Sequence, residues 1–260
     1  MKFLKLIYRK FKSYLSSDIL YKENVELRKN FENYSKCIIL GSGPSINRFD
    51  LEFSENDLII SVGNFHEHKN IETIKPHIHI FAASHPPISE EILKMWWTRC
   101  DEKLPVETVI LVEKRNYSTA LEVFKKRRVY QYSYGGNYPI DFTKKIKSPD
   151  SVSQVAMQLA IYFQISKIYF LGIDLHWQML VPHRHFYSHD EPSLEYYLSA
   201  KGIKVEYEIG ENLSKNVLYR LFKIYQNYED LNNEAIENGL NIYNGNKNSK
   251  FDIFQYESYN

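Results

Sequence analysis

Four histidines lie close together in a stretch of the chain that is also rich in aromatic residues. They are His176, His183, His185 and His189, and the stretch follows a short apolar run that ends at Leu171. The unperturbed pKa of histidine lies near neutrality, so a histidine can take a proton from a hydroxyl group at neutral pH. We therefore predict that this segment supplies a general base.

A zinc site is the alternative explanation for these histidines. Zinc needs three or four converging ligands, and this stretch contains no cysteine and few acids. The chain also lacks an Asp-x-Asp sequence, the usual divalent-metal clamp of many nucleotide-sugar transferases. We therefore expect neither a metal nor a cofactor.

Two apolar runs end in turns that could hold a ligand. Glycine permits positive φ and a close approach of ligand to backbone, and exposed amide groups in such a turn suit a phosphate. Ligands of open α/β sheets bind beyond the carboxyl ends of the strands. We predict a binding site there, although such turns can also simply end a strand. The first turn contains Gly41, Ser42, Gly43, Pro44 and Ser45, and the second contains Gly172, Ile173 and Asp174.

Strand and helix patterns alternate along the chain, which predicts a doubly wound, mostly parallel α/β sheet of the Rossmann-like class. We place this domain at residues 35–260, with a loop or lid at about 175–215, after an N-terminal helix and arm at 1–34. Strands are predicted at 37–40, 58–62, 77–82, 106–112, 129–133, 167–171, 203–208 and 241–243. Helices are predicted at 90–99, 117–126, 151–163 and 214–238.

Residues 1–17 combine basic side chains with apolar residues near helical spacing and contain no acid. Such a helix can lie on an anionic membrane surface, and packing against protein is the alternative. No run is long and apolar enough to span a bilayer, and no signal-peptide pattern is found. We expect a cytoplasmic protein that contacts the inner face of the membrane through this segment. The basic residues are Lys2, Lys5, Arg9, Lys10 and Lys12.

Composition excludes two other classes of protein. The formal net charge is +1, so no global field favours nucleic acid as a partner. The chain has two cysteines, Cys37 and Cys100, which do not form a disulfide framework. A homo-oligomer is compatible with the sequence.

Four sequence blocks, in this order along the chain, resemble the bacterial lipooligosaccharide sialyltransferases of glycosyltransferase family 42. They also resemble the related bacterial sugar-transferase and pterin pyrophosphokinase-like domains. The blocks are 38–45 (Ile-Ile-Leu-Gly-Ser-Gly-Pro-Ser), 61–65 (Ser-Val-Gly-Asn-Phe), 151–154 (Ser-Val-Ser-Gln) with 168–174 (Ile-Tyr-Phe-Leu-Gly-Ile-Asp), and 185–189 (His-Phe-Tyr-Ser-His). A weaker fifth block starts at Ile242 and includes Asn248 and Ser249.

The resemblance assigns roles to residues of these blocks. It implies that His185 is the catalytic base and that His176 or Tyr187 assists the leaving phosphate. The donor nucleotide would contact the two glycine-containing turns and further polar residues, namely Asn64, Ser151, Ser153, Asn248 and Ser249.

The function implied is an inverting, metal-independent glycosyltransferase. It would move a sialic-acid-like sugar, a nonulosonate or related keto-acid, from a CMP-sugar donor to a glycan or glycolipid acceptor, in lipopolysaccharide or capsule biosynthesis. Ser42 and His176 stand where the family usually has asparagine and tyrosine, and the segment between Asp174 and His185 is shorter than the family's lid. A pyrophosphokinase or other phosphotransferase, and a non-catalytic nucleotide-sugar-binding module, remain as alternatives.

Overall fold

The computed structural model describes residues 20–137, 139–174, 185–187, 192–203, 214–249 and 251–259. These residues contain a nine-stranded sheet in the order β6-β5-β4-β3-β2-β1-β7-β8-β9, and each neighbouring pair is parallel. The strands are β1 (Lys36–Leu40), β2 (Asp57–Val62), β3 (Ile78–Ile80), β4 (Val109–Glu113), β5 (Val129–Tyr134), β6 (Lys145–Ile146), β7 (Lys167–Leu171), β8 (Asn241–Asn244) and β9 (Gln255–Tyr256).

Seven α-helices connect or flank the strands within the part of the chain that is described. They are α1 (Glu23–Phe31), α2 (Ile71–Ile74), α3 (Glu90–Lys103), α4 (Tyr117–Val123), α5 (Val152–Tyr162), α6 (Leu194–Ala200) and α7 (Lys215–Glu237). Among these described helices, none is long and apolar enough to cross a membrane.

The central strands are buried on both faces, which explains why they read as continuous apolar runs rather than alternating patterns. In β1, Cys37 and Ile39 belong to the core on one face of the sheet, with helices α5 and α7. Ile38 and Leu40 belong to the core on the other face, with helix α3. Helices on both faces of a parallel sheet define the doubly wound architecture, so the predicted fold class is confirmed.

Helix α1 packs on the domain through the first of these cores, which contains Leu27 and Phe31. The buried Asn24 side chain donates hydrogen bonds to the carbonyl oxygens of Gln131 (2.9 Å) and Phe142 (2.7 Å). Residues 20–34 are thus tied to the sheet, whereas the predicted basic helix at 1–17 lies outside the described residues.

Strand order reverses beside β1. The strands from β1 to β6 follow one another in one direction, and β7 to β9 continue from the other side of β1. The register pairs Leu40 with Leu171, so the turns after β1 and β7 leave the sheet side by side. This is the switch point, where open α/β sheets form a crevice.

The structure contains two short strands that the sequence did not predict, and it leaves one predicted strand largely outside the described residues. Strands β6 and β9 have two residues each and were not predicted. The strand predicted at 203–208 lies, apart from Ile203, outside the described residues. The long helix predicted at 214–238 is found as α7, Lys215–Glu237.

Candidate functional site

The turns after β1 and β7 are joined by hydrogen bonds at the switch point. The amide of Gly41 donates to the carbonyl of Leu171, and the amide of Gly43 donates to that of Gly172, both at 2.8 Å. The amide of Ser45 donates to Asp174 Oδ2 at 2.8 Å. These three amides and the Asp174 carboxylate therefore hold the two turns together.

The glycines are required by this packing. Gly172 has a φ of 68°, and a Cβ built on it would lie 2.4 Å from the Gly41 carbonyl oxygen. A Cβ on Gly43 would lie 2.7 Å from the Gly172 carbonyl oxygen. No real Cβ tolerates such distances to backbone. The close contact of the turns explains why glycines occupy these positions, and their contact with a ligand stays a prediction.

His185 lies directly against the first turn. Its Nδ1 is 3.2 Å from Ser42 Oγ, and the following amide, of Phe186, donates to the Ser42 carbonyl at 3.0 Å. On the other side of the ring, His185 Nε2 is 4.0 Å from Glu195 Oε1. The structure thus brings a hydroxyl, an imidazole and a carboxylate into one row beside the crevice.

Glu195 is positioned by the start of helix α6. Ser193 is the N-cap of this helix, and its hydroxyl accepts a hydrogen bond from the amide of Tyr196 at 3.2 Å. Glu195 lies in the first turn, where the helix dipole favours a negative charge. The cap therefore fixes the place from which the carboxylate faces His185.

The buried side chain of Asn64 contacts residues on both sides of His185 in the structure, Tyr187 and Glu195. Asn64, in the 3₁₀ turn after β2, donates from Nδ2 to the Tyr187 hydroxyl at 2.7 Å, and it lies 3.5 Å from Glu195 Oε2. Its Oδ1 accepts from Trp96 Nε1 at 2.5 Å. The Tyr187 ring in turn stacks on His185, with centroids 4.8 Å apart and planes within 5°. These contacts restrict the orientation of the His185 ring.

The beginning of helix α5 forms a second part of the same sheet edge. Ser153 Oγ lies 2.6 Å from the buried Tyr228 hydroxyl, and Ser151 Oγ lies 3.1 Å from Ser153 Oγ. A cavity of about 250 Å³ opens beside this helix N-terminus. Helix N-termini favour negative charge, and the same cavity is also lined by the Asp150 carboxylate. The cavity is lined by Ala82, Ala83, His85, Tyr132, Tyr134, Pro149, Asp150, Ser151, Val152 and Val155.

Asn248 and Ser249 lie in the loop after β8. The Asn248 amide donates to Asn246 Oδ1 at 3.1 Å, and Ser249 Oγ accepts from the Phe251 amide at 3.0 Å. The Gly245 amide donates to the Phe170 carbonyl at 3.0 Å and ties this loop to β7. The two predicted residues thus stabilise a loop beside the turn after β7.

Three of the predicted histidines, His176, His183 and His189, lie outside the described residues. Two residues of the described site were not among the predictions. Glu195 and Trp96 gave no sequence signal, because an acid in the first turn of a helix and an aromatic residue at an apolar helix position are both ordinary. Only the tertiary structure brings them to His185 and Asn64.

A separate polar cluster lies inside the core. His66, His79 and Cys100 are buried, and one potential ligand atom of each lies within 4.8 Å of the others; they are the one such group found among the described residues. His79 Nδ1 is 2.7 Å from Ser61 Oγ, and its Nε2 is 2.9 Å from the Gly63 carbonyl. Since both nitrogens are already hydrogen-bonded, the structure accounts for His79 without a metal.

Burial controls the protonation of this cluster. Desolvation lowers the pKa of His66 to about 3, despite the opposing hydrogen bond to the Gly63 carbonyl. Desolvation also lowers the pKa of His79 well below its ordinary value and raises that of the Cys100 thiol well above it. Both histidines are therefore neutral in the folded protein near neutral pH.

The parallel, doubly wound sheet with its crevice at the switch point defines a Rossmann-like α/β protein. The sequence profile of the family described as 6-hydroxymethylpterin diphosphokinase MptE-like matches residues 15–179, more than half of the chain. The chain belongs to this family. No curated protein sequence matches the chain significantly.

A solved structure of a sialyltransferase shares the fold, and two more are similar to a lesser degree. A crystal structure of a variant of the sialyltransferase CstII in complex with CMP has a TM-score of 0.52 and 15% sequence identity, with 86% of each chain covered. CstII with a trisaccharide acceptor and CMP has a TM-score of 0.48 at 15% identity, covering 86% of each chain. CstII from Campylobacter jejuni with cytidine-5'-monophosphate has the same score and identity, covering 86% of this chain and 85% of the other.

Proposed function

We propose that the protein is an inverting glycosyltransferase that uses a CMP-linked, sialic-acid-like sugar as donor. The row formed by Ser42, His185 and Glu195 at the switch point is the observation that carries this proposal. It supplies a base beside the crevice in which a doubly wound sheet binds its ligand. The fold shared with a CMP-bound sialyltransferase supports this choice of donor class.

In the proposed reaction, His185 takes the proton of the acceptor hydroxyl while the acceptor oxygen attacks the anomeric carbon. The bond from that carbon to the phosphate oxygen breaks, and CMP leaves with the electron pair. The carboxylate of Glu195 on the Nε2 side favours the tautomer that carries its proton there. Nδ1, on the Ser42 side, is then the nitrogen that accepts the proton.

The donor phosphate would bind between the turns and the N-terminus of α5. In this proposal Ser42, Ser151 and Ser153 contribute hydroxyl groups, and the cavity of about 250 Å³ beside α5 accepts part of the nucleotide. The other predicted contacts, from Asn64 and from the loop with Asn248 and Ser249, stay part of the proposal.

We further propose that no metal or cofactor is needed, because CMP is a monophosphate leaving group and requires less charge neutralisation than a diphosphate. Hydrogen bonds from the protein would stabilise the departing phosphate. His176 and Tyr187 stay the predicted donors for it. The acceptor we propose is a surface glycan or glycolipid, handled by a protein on the inner face of the membrane.

A phosphotransferase is the second candidate, favoured by the family match. That family's description names a diphosphokinase. Transfer of a diphosphate usually needs Mg²⁺ held by carboxylates near the phosphates. At the switch point, the Asp174 carboxylate already accepts the Ser45 amide, and Glu195 faces His185. These contacts favour the first candidate over the second.

Two incubations test these candidates: one with CMP-sialic acid and related CMP-sugars, with or without EDTA, and one with ATP and Mg²⁺. Release of CMP that survives EDTA supports the glycosyltransferase, and activity only with Mg²⁺ and ATP supports the phosphotransferase. CMP should raise the melting temperature, since a ligand of the native state stabilises it, and UMP and GMP should do little. CMP binding without turnover of any donor or acceptor would favour a non-catalytic binding module.

A further inference from the structure

The first half of helix α7 is exposed to solvent, although it carries large apolar side chains. Within the described segment 215–223 no residue is buried, and the residues of α7 that are buried all lie further along, from Asn227 onward. Three large side chains of this half are exposed: Leu218 at 50%, Tyr219 at 59% and Phe222 at 59%. The N-terminal half of α7 thus extends beyond the hydrophobic core and still carries apolar side chains.

The exposed apolar residues lie on the face opposite the core. At about 100° per residue, Phe222 and the buried Leu231 are roughly 180° apart around the helix. Leu218 and Phe222 are four residues apart, so they are neighbours on the outward face. Lys223 lies over the Tyr219 ring, with its Nζ 5.7 Å from the ring centroid. The outward face therefore presents aliphatic, aromatic and cationic groups side by side.

Charge divides α7 into two halves. The segment 215–228 contains basic residues and no acid, and the segment 229–237 contains acids and no basic residue. The basic residues are Lys215, Arg220 and Lys223, and the acids are Glu229, Asp230, Glu234 and Glu237. Within α7, the exposed large apolar residues lie in the basic segment 215–228, except for Ile236.

We infer that this outward face of α7, formed by Lys215, Leu218, Tyr219, Phe222 and Lys223, docks on an anionic lipid surface. Exposed apolar side chains between lysines are the pattern of helices that lie in a membrane interface, where the apolar groups enter the acyl boundary and the lysines reach phosphate. The cationic charge complements an anionic surface. The inferred role of this face depends neither on the proposed reaction nor on the prediction made for residues 1–17.

The test is co-sedimentation of the full chain with vesicles of phosphatidylcholine, with and without phosphatidylglycerol. We expect binding to the anionic vesicles only. The double variant Leu218→Ser/Phe222→Ser should bind about tenfold more weakly, because its apolar groups no longer enter the interface. Lys215→Gln and Lys223→Gln should each weaken binding about fivefold. Ile236→Ser, at 59% exposure on the acidic half of α7, is the matched control and should bind as the wild type does.

Several outcomes would overturn the inference. Equal binding to both kinds of vesicle would remove the role of charge, and unchanged binding of the Leu218→Ser/Phe222→Ser chain would remove the role of this face. If binding disappears only when residues 1–17 are deleted, the membrane contact is elsewhere. If the wild type is a dimer that this double variant dissociates, and vesicles do not bind, the face is a self-association surface. Circular dichroism of each variant confirms that it is folded.

Discussion

Ser42 and His185 are 143 positions apart in the sequence, and the structure joins them, with Oγ of the serine 3.2 Å from Nδ1 of the histidine. The contact connects the turn after β1 with a segment that follows β7. It is reinforced by the Phe186 amide, which donates to the Ser42 carbonyl at 3.0 Å. The imidazole of His185 is thereby held at the crevice of the sheet by contacts to both the side chain and the backbone of the glycine turn.

His185→Ala should reduce kcat for sugar transfer by about 10²–10⁴-fold, the usual contribution of a general base. The melting-temperature shift caused by CMP should be retained, since His185 is not one of the proposed contacts to the nucleotide. The matched variants His183→Ala and His189→Ala should lose much less activity. If His189→Ala is the inactive variant and His185→Ala is active, the base is another histidine of this segment, and if all three are active there is no histidine base.

Glu195→Gln tests whether the carboxylate positions His185. Glutamine keeps the size of the side chain and can still receive a hydrogen bond, but it loses the charge 4.0 Å from Nε2. We expect kcat to fall by about tenfold while KM for the donor stays unchanged, because the carboxylate acts through His185 and not on the donor. Glu91→Gln, an exposed acid on α3, is the control. A purely structural role would instead lower the melting temperature and leave kcat intact.

The fold and part of the site could be predicted because they depend on local patterns. The apolar run at 37–40 and the glycines that follow it signal a strand and a tight turn, and the parallel architecture follows from the alternation of such runs with helices. The structural role of these glycines, which is to let the turns after β1 and β7 pack against each other, could not be predicted. Whether Gly41 faces a ligand or the neighbouring turn depends on which strand pairs with β1, and that is a tertiary fact.

The contacts that support the site could not be predicted, for the same reason. The nucleotide contact of Asn64 stays a prediction, and the structure adds the partners of its side-chain amide, Trp96 on one side and Tyr187 on the other. A pair such as Trp96 and Asn64 belongs to different elements and has no fixed spacing. The two-residue strands β6 and β9 carry no periodicity at all.

Gly172→Ala should destabilise the protein more than Gly202→Ala. Both glycines have a similar positive φ, 68° and 72°, so alanine suffers the same backbone strain at both sites. Only at Gly172 does the new Cβ meet a backbone oxygen, that of Gly41 at 2.4 Å. The extra loss in the free energy of unfolding should be about 1–3 kcal/mol, measured by urea denaturation. Equal losses of unfolding free energy in the two variants would mean that the turns after β1 and β7 can move apart at little cost, contrary to their close packing in the structure.

The stability of the protein should fall as the pH is lowered from about 6.5 toward 3, in part because of His66. Burial lowers its pKa from the ordinary 6.5 to about 3 in the folded state. Between these values the unfolded chain binds a proton that the folded chain does not, so acid favours unfolding. The contribution is complete above pH 6.5 and is lost progressively down to the folded pKa, at up to about 1.4 kcal/mol per pH unit. The pKa of His79 is lowered in the same direction, so it adds to the effect.

His66→Gln separates this effect from the titration of carboxylates in the same range. The variant should be less stable than the wild type at pH 7.5, because a buried ring is lost, but its unfolding free energy should decline less steeply between pH 6.5 and 4.5. His85→Gln, at an exposed position, should leave the slope unchanged. The measurement is a series of urea denaturation curves at fixed pH values. An unchanged slope in His66→Gln would mean that His66 is protonated without unfolding, which its position at 0% exposure in the core does not allow.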